Sequence, residues 1–292
     1  MHSSHNHIIP STNKAFLLAA SINIIFVIVE IIYGFLANSL ALLADAGHNF
    51  IDVLTLLLAW GANTLAGIKP SARRTYGYRR TTILAALFSS IALMVTILLI
   101  TIEAILRLHN SIEPHSLTIV FVATVGVAVN FLTAALFLRD KNKDLNVKGA
   151  FLHLFADGMV SLAVVLGGLI IYFTGWSIVD PILSVLIVIT IAFSSWELLR
   201  DSFNLSIDAV PRNIDVDDVR KYLLSLPDVT SIHDLHIWAT STTHVAMTAH
   251  ILRNVEYIDD DFLNKTTQEL NDRFGIHHST LQIENGDCKL NC

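Results

Sequence analysis

Apolar residues fill six long segments within the first 200 positions of the chain, separated by short polar stretches. A helix needs about 20 consecutive apolar residues to cross a bilayer, so each segment is long enough to form a membrane-spanning helix. An even number of spans places both ends of the chain on the same side of the membrane. The predicted spans cover residues 15–36, 39–64, 82–107, 116–138, 148–173 and 177–199.

The basic residues fall on one side of this predicted membrane. The loops at 65–80 and 139–147 are rich in lysine and arginine, whereas Arg107 alone lies near the opposite side. Cytoplasmic loops carry such an excess of positive charge, so both loops and both termini are predicted to be cytoplasmic. The start "MHSSHNHIIPSTNK" lacks the basic region and cleavage site of a signal peptide, so the first span is expected to be retained. We therefore expect a multi-pass protein of the lipid bilayer, in the cytoplasmic (inner) membrane if the host is bacterial.

Beyond residue 200 the pattern changes to that of a small soluble domain. "DVDDVRKYLLSL" predicts an amphipathic helix, and "VTSIHDLHIWAT" and "THVAMTAHIL" alternate like strands. A helix over about 258–274 and a strand at "STLQIE" complete an αββαβ order, which predicts a sheet with helices on one face. The predicted fold class is an α-helical membrane protein: a six-transmembrane-helix bundle followed by a small cytoplasmic α+β, ferredoxin-like domain. The expected domains are a His-rich cytoplasmic tail (1–14), the membrane domain (15–200) and a metal-binding regulatory domain (201–292).

Composition supports this division and narrows the function. Hydrophobic residues make up 53% of the chain and charged residues only 15%, which is too apolar for a soluble α/β protein. Residues 1–200 carry 12 basic and 10 acidic side chains, but residues 201–292 carry 7 basic and 15 acidic ones. An acidic domain is a poor partner for nucleic acid and a suitable one for cations. The sequence has no G-x-x-x-x-G-K-[ST] motif, so direct coupling to ATP is not expected.

Two predicted spans carry ionisable residues where hydrocarbon would be expected. In "DAGHNFID" of the second span, His48 and Asp52 are four residues apart and therefore share one face of a helix. The fifth span repeats the spacing in "FLHLFADG" with His153 and Asp157. Two adjacent helices could offer two imidazoles and two carboxylates to one point, a set that suits a tetrahedral divalent ion, zinc first.

The charge of these four residues suggests an exchange reaction. Two ionised aspartates with two neutral histidines carry two negative charges, which one divalent cation neutralises. Without metal the same groups can bind protons, so metal and protons would compete for one site at membrane depth, as an antiporter requires. The alternative is that the polar groups only join helices, but two His-x-x-x-Asp pairs on different spans favour a functional site.

Other polar residues of the spans have alternative interpretations. Asp45 fits either an orienting partner for His48 or a structural role. Glu30 fits either helix packing or a proton path, and Asn130 and Ser161 are predicted to form packing hydrogen bonds. Asp180 precedes Pro181 and is predicted to cap its own helix.

Five motifs follow one another along the chain: "SLALLADAGHNFID", "RTYGYRRTTILAAL", "NVKGAFLHLFADGMVS", the "DP" that opens span six, and "HDLHIW". Through these motifs the chain resembles, over almost its whole length, the cation diffusion facilitator family of zinc exporters. The resemblance implies a homodimer with a metallochaperone-like cytoplasmic domain that exports metal from the cytoplasm against inward protons. It maps the family's transport ligands onto His48, Asp52, His153 and Asp157. A histidine at the first of these positions is the pattern associated with zinc and cadmium rather than manganese or iron.

The resemblance also maps a second metal site onto His233, His250, His277 and Glu284 of the cytoplasmic domain. Strand positions support part of this assignment, because His233 and His250 fall on strands expected to be neighbours and Glu284 ends a third strand. Whether His277 or His278 joins them is left open. Zinc bound there would neutralise part of the acidic charge and is expected to regulate transport.

The two tails offer further candidate ligands. Cys288 and Cys292 are the only cysteines, and His5 and His7 flank Asn6 near the start. In some relatives a short N-terminal His motif and C-terminal cysteines bind zinc together across the dimer. Here the cysteines stand one residue further apart and Asn6 replaces a cysteine, so two tails with incidental ligands are the alternative. A disulfide is not expected in the reducing cytosol.

One motif departs from the family pattern. Many relatives carry a metal site in the loop between spans two and three, with a histidine where this chain has Arg79. The stretch "ARRTYGYRR" contains neither histidine nor a carboxylate. We predict no metal site in this loop, and expect its arginines to contact anionic lipid headgroups or the partner subunit.

Three classes of protein remain to be weighed. The favoured class is a secondary transporter that exports Zn²⁺, and also Cd²⁺, in exchange for H⁺, with Co²⁺, Fe²⁺ or Mn²⁺ as alternative cargo. An intramembrane metalloenzyme is disfavoured because H-E-x-x-H is absent and four protein ligands leave no position for a catalytic water. A membrane metal sensor would use the soluble site but has no use for ligands at membrane depth.

Overall fold

Six long helices cover the first two thirds of the computed structural model, which describes residues 10–109, 113–138, 145–254 and 260–284. Each helix contains an apolar stretch long enough to cross a membrane, as predicted from the hydrophobic pattern. The helices are α1 (Pro10–Leu36), α2 (Leu40–Ala66), α3 (Thr81–His109), α4 (Ser116–Ala135), α5 (Leu145–Thr174) and α6 (Val179–Ser206).

Small residues let these helices approach closely. A Cβ atom added at Gly126 of α4 would lie 2.7 Å from the ring of Phe26 in α1 and 3.2 Å from Ser161 Oγ in α5. Packing of this kind is typical of membrane helices, where small residues bring backbones together. Gly126 thus sets the spacing of three helices beside a buried polar layer.

Asp180 connects two helices instead of capping its own. It lies in the first turn of α6, but its carboxylate accepts hydrogen bonds from Ser39 Oγ at 2.5 Å and from the backbone N–H of Leu40 at 2.7 Å. The first N–H groups of a helix have no partner within the helix, so a carboxylate from a neighbour satisfies them. The prediction that Asp180 caps α6 is therefore wrong: it caps α2, the helix that carries His48 and Asp52.

The C-terminal domain has the predicted αββαβ order. It consists of α7 (Val216–Leu224), β1 (Val229–Ser241), β2 (His244–Arg253), α8 (Asp260–Phe274) and β3 (Ile276–Glu284). The sheet order is β1-β2-β3, with β1 antiparallel and β3 parallel to β2. Its core joins Val219 and Leu223 of α7 and Leu270 of α8 to Met247 and Ile251 of β2.

The contacts divide the chain into two compact units. The first comprises Met1–Leu56 with Ile91–Trp196, and the second comprises Leu57–Ser90 with Glu197–Cys292. The ionisable residues of α2 and α5 lie wholly in the first unit. The whole sheet, together with the loop between α2 and α3, lies in the second.

Candidate metal centres

The four ionisable residues predicted from the helical spacing lie together between α2 and α5. Asp52 Oδ2 is 3.4 Å from His48 Nε2 and 3.2 Å from His153 Nε2. Asp157 completes the group, with one oxygen 3.9 Å from His48 Nε2 and the other 3.6 Å from His153 Nε2. We call these four residues the membrane quartet.

The histidine–aspartate separations lie at or near those expected for ligands of one ion. A tetrahedral zinc ion about 2.0–2.2 Å from each ligand atom separates neighbouring ligand atoms by about 3.3–3.6 Å. The Oδ2 atom of Asp52 is buried and accepts no hydrogen bond from any described residue, although two imidazole nitrogens lie nearby. A buried polar atom without a hydrogen bond is costly, and a bound cation would satisfy it.

A buried polar layer lies one turn away from the quartet. Asp45 Oδ2 accepts a hydrogen bond of 2.9 Å from Ser161 Oγ, and Asn49 Nδ2 is 3.4 Å from the other Asp45 oxygen. Asn130 Nδ2 in turn lies 3.4 Å from Ser161 Oγ, as expected for packing hydrogen bonds. Asp45 therefore joins α2 to α5, which supports the structural alternative for this residue. Glu30 of α1 is also fully buried.

The quartet is buried unevenly. The side chains of Asp157 and His48 are 8% and 18% exposed, whereas the His153 side chain is 49% exposed. The chain itself therefore encloses Asp157 and His48 and leaves His153 uncovered.

A second cluster takes residues from all three strands of the sheet. His233 and His250 are direct partners in the β1–β2 ladder, and Glu284 is the last residue of β3. Glu284 Oε1 is 2.8 Å from His250 Nδ1, and its Oε2 is 3.4 Å from His233 Nε2. His233 Nε2 and Glu284 Oε2 are both buried and have no hydrogen bond among the described residues. We call His233, His250 and Glu284 the sheet cluster, and their ligand atoms lie close enough to hold one ion.

Asp234 belongs beside this cluster but was missed by sequence reasoning. Strict strand alternation would turn Asp234 away from His233, yet its Oδ2 is 3.4 Å from His250 Nε2. The register of β1 shifts between His233 and His236, and Asp234 has a φ of 51°. Such a bulge re-aims a side chain. The only signal in the sequence was an acidic residue between two histidines in "HDLH".

His277 does not belong to the sheet cluster. Ile276, its neighbour, pairs with Val245, whereas Glu284 pairs with Leu252 at the other end of β3. Within one chain the structure therefore does not bring His277 to His233, His250 and Glu284, because the strand runs away from them. His278 lies at the same far end of β3. His236 is largely exposed and pairs with Asp234 at 2.6 Å. His5, His7, Cys288 and Cys292 lie outside the described residues.

These features define a multi-pass α-helical membrane protein with clustered imidazoles and carboxylates in its spans and in its C-terminal domain. Two protein-family models match the sequence. The family model for the cation efflux transmembrane domain matches residues 16–205, and the family model for the cation efflux protein cytoplasmic domain matches residues 211–286. The chain belongs to this family, the cation diffusion facilitators. It is a metal efflux transporter and not an enzyme.

Named relatives match along nearly the whole chain. A cadmium, cobalt and zinc/H⁺-K⁺ antiporter of Bacillus velezensis is 37% identical, covering 96% of this chain and 91% of the relative. The metal cation efflux system protein CzcD of Cupriavidus metallidurans is 35% identical over 99% and 92% of the two chains. The zinc transporter ZitB of Escherichia coli is 35% identical over 99% and 96%. A solved structure, the metal-bound C-terminal domain of the CzcD transporter from Cuprividus metallidurans, is 36% identical, covering 24% of this chain and 99% of that chain at a TM-score of 0.23.

Proposed function

We propose that this protein exports Zn²⁺, and also Cd²⁺, from the cytoplasm in exchange for protons, and that the membrane quartet is its transport site. The observation that carries the proposal is that four ionisable side chains from two spans meet, with histidine–aspartate distances of 3.2–3.9 Å. These distances lie at or near the ligand separations around a tetrahedral ion. The imidazole and carboxylate set suits a borderline divalent metal.

Exchange with protons follows from the charge of the quartet. Two carboxylates and two neutral imidazoles attract a divalent cation, and metal binding requires that the ligating nitrogen of each imidazole carries no proton. When the metal leaves, protons can restore neutrality at the same atoms. The relatives' names support this mode, since one of them is a zinc/H⁺-K⁺ antiporter.

The quartet lies within the apolar stretches of α2 and α5, so an ion bound there needs a path to each side of the membrane in turn. A transporter with one central site needs a second conformation in which the opposite side opens. The basic loops favour a cytoplasmic location for both termini, in the inner membrane of a bacterial host.

The sheet cluster is proposed as a regulatory site for cytosolic zinc in a homodimer. Two imidazoles and a carboxylate leave a fourth zinc position for another ligand, and Asp234 lies within reach of His250. The C-terminal match is to a family model named ZT_dimer, which favours a dimer formed through this domain. Zinc bound to an acidic domain would lower the repulsion between two copies.

Zinc flux into proteoliposomes under an imposed pH gradient tests this function. The wild type is expected to move zinc with the gradient, and Asp157→Asn is expected to lose that flux. Glu103→Gln is the matched control, because Glu103 is a carboxylate of another span that pairs with Arg107 outside the quartet. Equal flux in wild type and Asp157→Asn would disprove the transport site. Zinc binding without flux in the wild type would favour a metal sensor. Faster flux of Co²⁺, Fe²⁺ or Mn²⁺ than of Zn²⁺ would show that another metal is the preferred cargo.

A further inference from the structure

A basic recess lies in the second unit, between the loop that joins α2 to α3 and one end of the sheet. Tyr76 and Arg79 of the loop face His244 at the start of β2 and His277 and His278 at the start of β3. The recess has a volume of about 400 Å³. It continues along α8, where Arg79 and the three histidines also line a second hollow with Asn264 and Asn271.

The lining carries no carboxylate among the described residues, although the C-terminal part of the chain, which supplies its histidines, is strongly acidic. The next arginine shows the contrast: Arg80 pairs with Asp208 at 2.6 Å and donates to the Ser206 carbonyl. Arg79 has no ion pair with any residue that the structure describes. Burial lowers the pKa of the His244 imidazole, and the neighbouring Arg79 and His277 lower it further. The recess therefore holds the charge of the Arg79 guanidinium, which no described residue of the lining neutralises.

In this arrangement the Nε2 atom of His277 is a hydrogen-bond donor and not a metal ligand. The backbone N–H of Val245 donates to His277 Nδ1 at 3.4 Å, so the neutral ring carries its proton on Nε2. A protonated nitrogen can donate a hydrogen bond but cannot bind a metal. His244 packs against His277 with ring centroids 4.8 Å apart, and its Nδ1 lies 3.0 Å from Thr243 Oγ1. The sheet cluster differs, because there a carboxylate lies between the imidazoles.

We propose that this recess binds an anion of the phosphate class. Arg79 supplies the planar pair of N–H donors that fits a phosphate, and His277 with its neighbouring histidines supplies further N–H donors. The loop joins two membrane spans, so the phosphate of an anionic lipid headgroup is as accessible as free phosphate. A bound phosphate would connect the loop to the β2–β3 end of the sheet. This proposal is independent of the transport proposal.

The test uses the full-length protein in phosphatidylcholine nanodiscs with EDTA present, so that metal sites stay empty. Inorganic phosphate is titrated and the midpoint of thermal unfolding is measured for wild type, Arg79→Gln and Arg73→Gln. Arg73 is the matched control, since it is an exposed arginine of the same loop outside both linings. A second series replaces part of the lipid with phosphatidylglycerol, without added phosphate.

We expect anion-dependent stabilisation of wild type and Arg73→Gln, with the apparent affinity reduced about tenfold or more in Arg79→Gln because a bidentate charged contact is lost. A response to free phosphate identifies a soluble ligand, and a response confined to phosphatidylglycerol identifies the headgroup. The proposal is overturned if neither anion stabilises the wild type, or if Arg79→Gln and Arg73→Gln respond equally. It is also overturned if, without EDTA, zinc binds the recess and Arg79→Gln strengthens that binding.

Discussion

The membrane quartet and the sheet cluster both combine imidazoles with carboxylates, but different parts of the fold bring their residues together. Each half of the quartet comes from one helix, where residues four apart share a face. The sheet cluster takes one residue from each of three strands, so it depends on strand pairing over long stretches of sequence. Within each half of the quartet the ligands are therefore placed by local helical spacing, whereas the ligands of the sheet cluster are placed by pairing between distant segments.

The residues that surround the two sites also differ. Behind the quartet lies a layer of buried hydrogen bonds through Asp45 and Ser161 that holds α2 against α5. Beside the sheet cluster lies Asp234, held by a bulge at a single point of β1. A membrane site held by two rigid helices suits movement of an ion between the sides of a membrane. A site across three paired strands suits sensing, because binding there connects the strands without opening a path for the ion.

Loss of one quartet ligand is the strongest test of this difference. His48→Asn is expected to lower the initial rate of zinc uptake about a hundredfold or more, because three remaining ligands hold the ion weakly and out of place. His233→Asn removes the equivalent imidazole from the sheet cluster and is expected to retain the wild-type rate at saturating zinc. Equal losses in the two variants would show that the sites do not have separate roles.

Removal of the Asp234 carboxylate beside the sheet cluster is expected to lower zinc affinity by an intermediate amount. Asp234→Asn keeps a residue that tolerates the positive φ but removes the carboxylate beside His250, and zinc affinity should fall about tenfold. Zinc titration of the full chain against a fluorescent chelator measures this change. Asp228→Asn is the control, since Asp228 also has a positive φ but pairs with Arg253. Unchanged affinity in Asp234→Asn would place Asp234 outside the metal site.

The polar layer behind the quartet should contribute a modest amount to stability. Ser161→Ala leaves the buried Asp45 carboxylate without its 2.9 Å hydrogen bond and should reduce the free energy of unfolding by about 1 kcal/mol. Ser89→Ala is the control, because this buried serine of α3 bonds only the carbonyl of Ala85 in its own helix. Thermal unfolding in detergent compares the two. Equal stabilities would show that the layer does not hold α2 to α5.

The smallest expected effect concerns pH and the basic recess. The pKa of His244 in the folded protein is below its ordinary value of 6.5, so the unfolded chain binds more protons as the pH falls through that value. Acidification should therefore destabilise the wild type slightly more than His244→Gln. Thermal midpoints measured between neutral and mildly acidic pH give the difference, and a steeper decline in the variant would contradict the shift.

The sequence predicted most where distance along the chain is short. Six spans, the αββαβ order and the His–Asp spacings of α2 and α5 follow from periods of hydrophobic and polar residues. The adjacency of His233 and His250 also follows, because consecutive strands usually pair.

What could not be predicted depends on contacts between distant segments. Asp180 lies at a helix start, where a cap of its own helix is the simplest expectation, yet it reaches the start of α2. His277 stands seven residues before Glu284 in the same strand, and only the parallel register shows that they lie at opposite ends. The bulge that turns Asp234 toward His250 has no periodic signal. Arg79 was expected to face lipid or a partner, and the histidines it faces come from the far end of the chain.

The most direct test of the account follows protons and zinc together in proteoliposomes that contain a trapped pH indicator and a trapped zinc indicator. Addition of zinc to wild-type vesicles is predicted to produce zinc uptake with simultaneous proton movement in the opposite direction. His153→Asn should abolish both signals, whereas His250→Asn should retain both at saturating zinc. Zinc uptake without any change of internal pH, or unchanged uptake by His153→Asn, would contradict exchange through the membrane quartet.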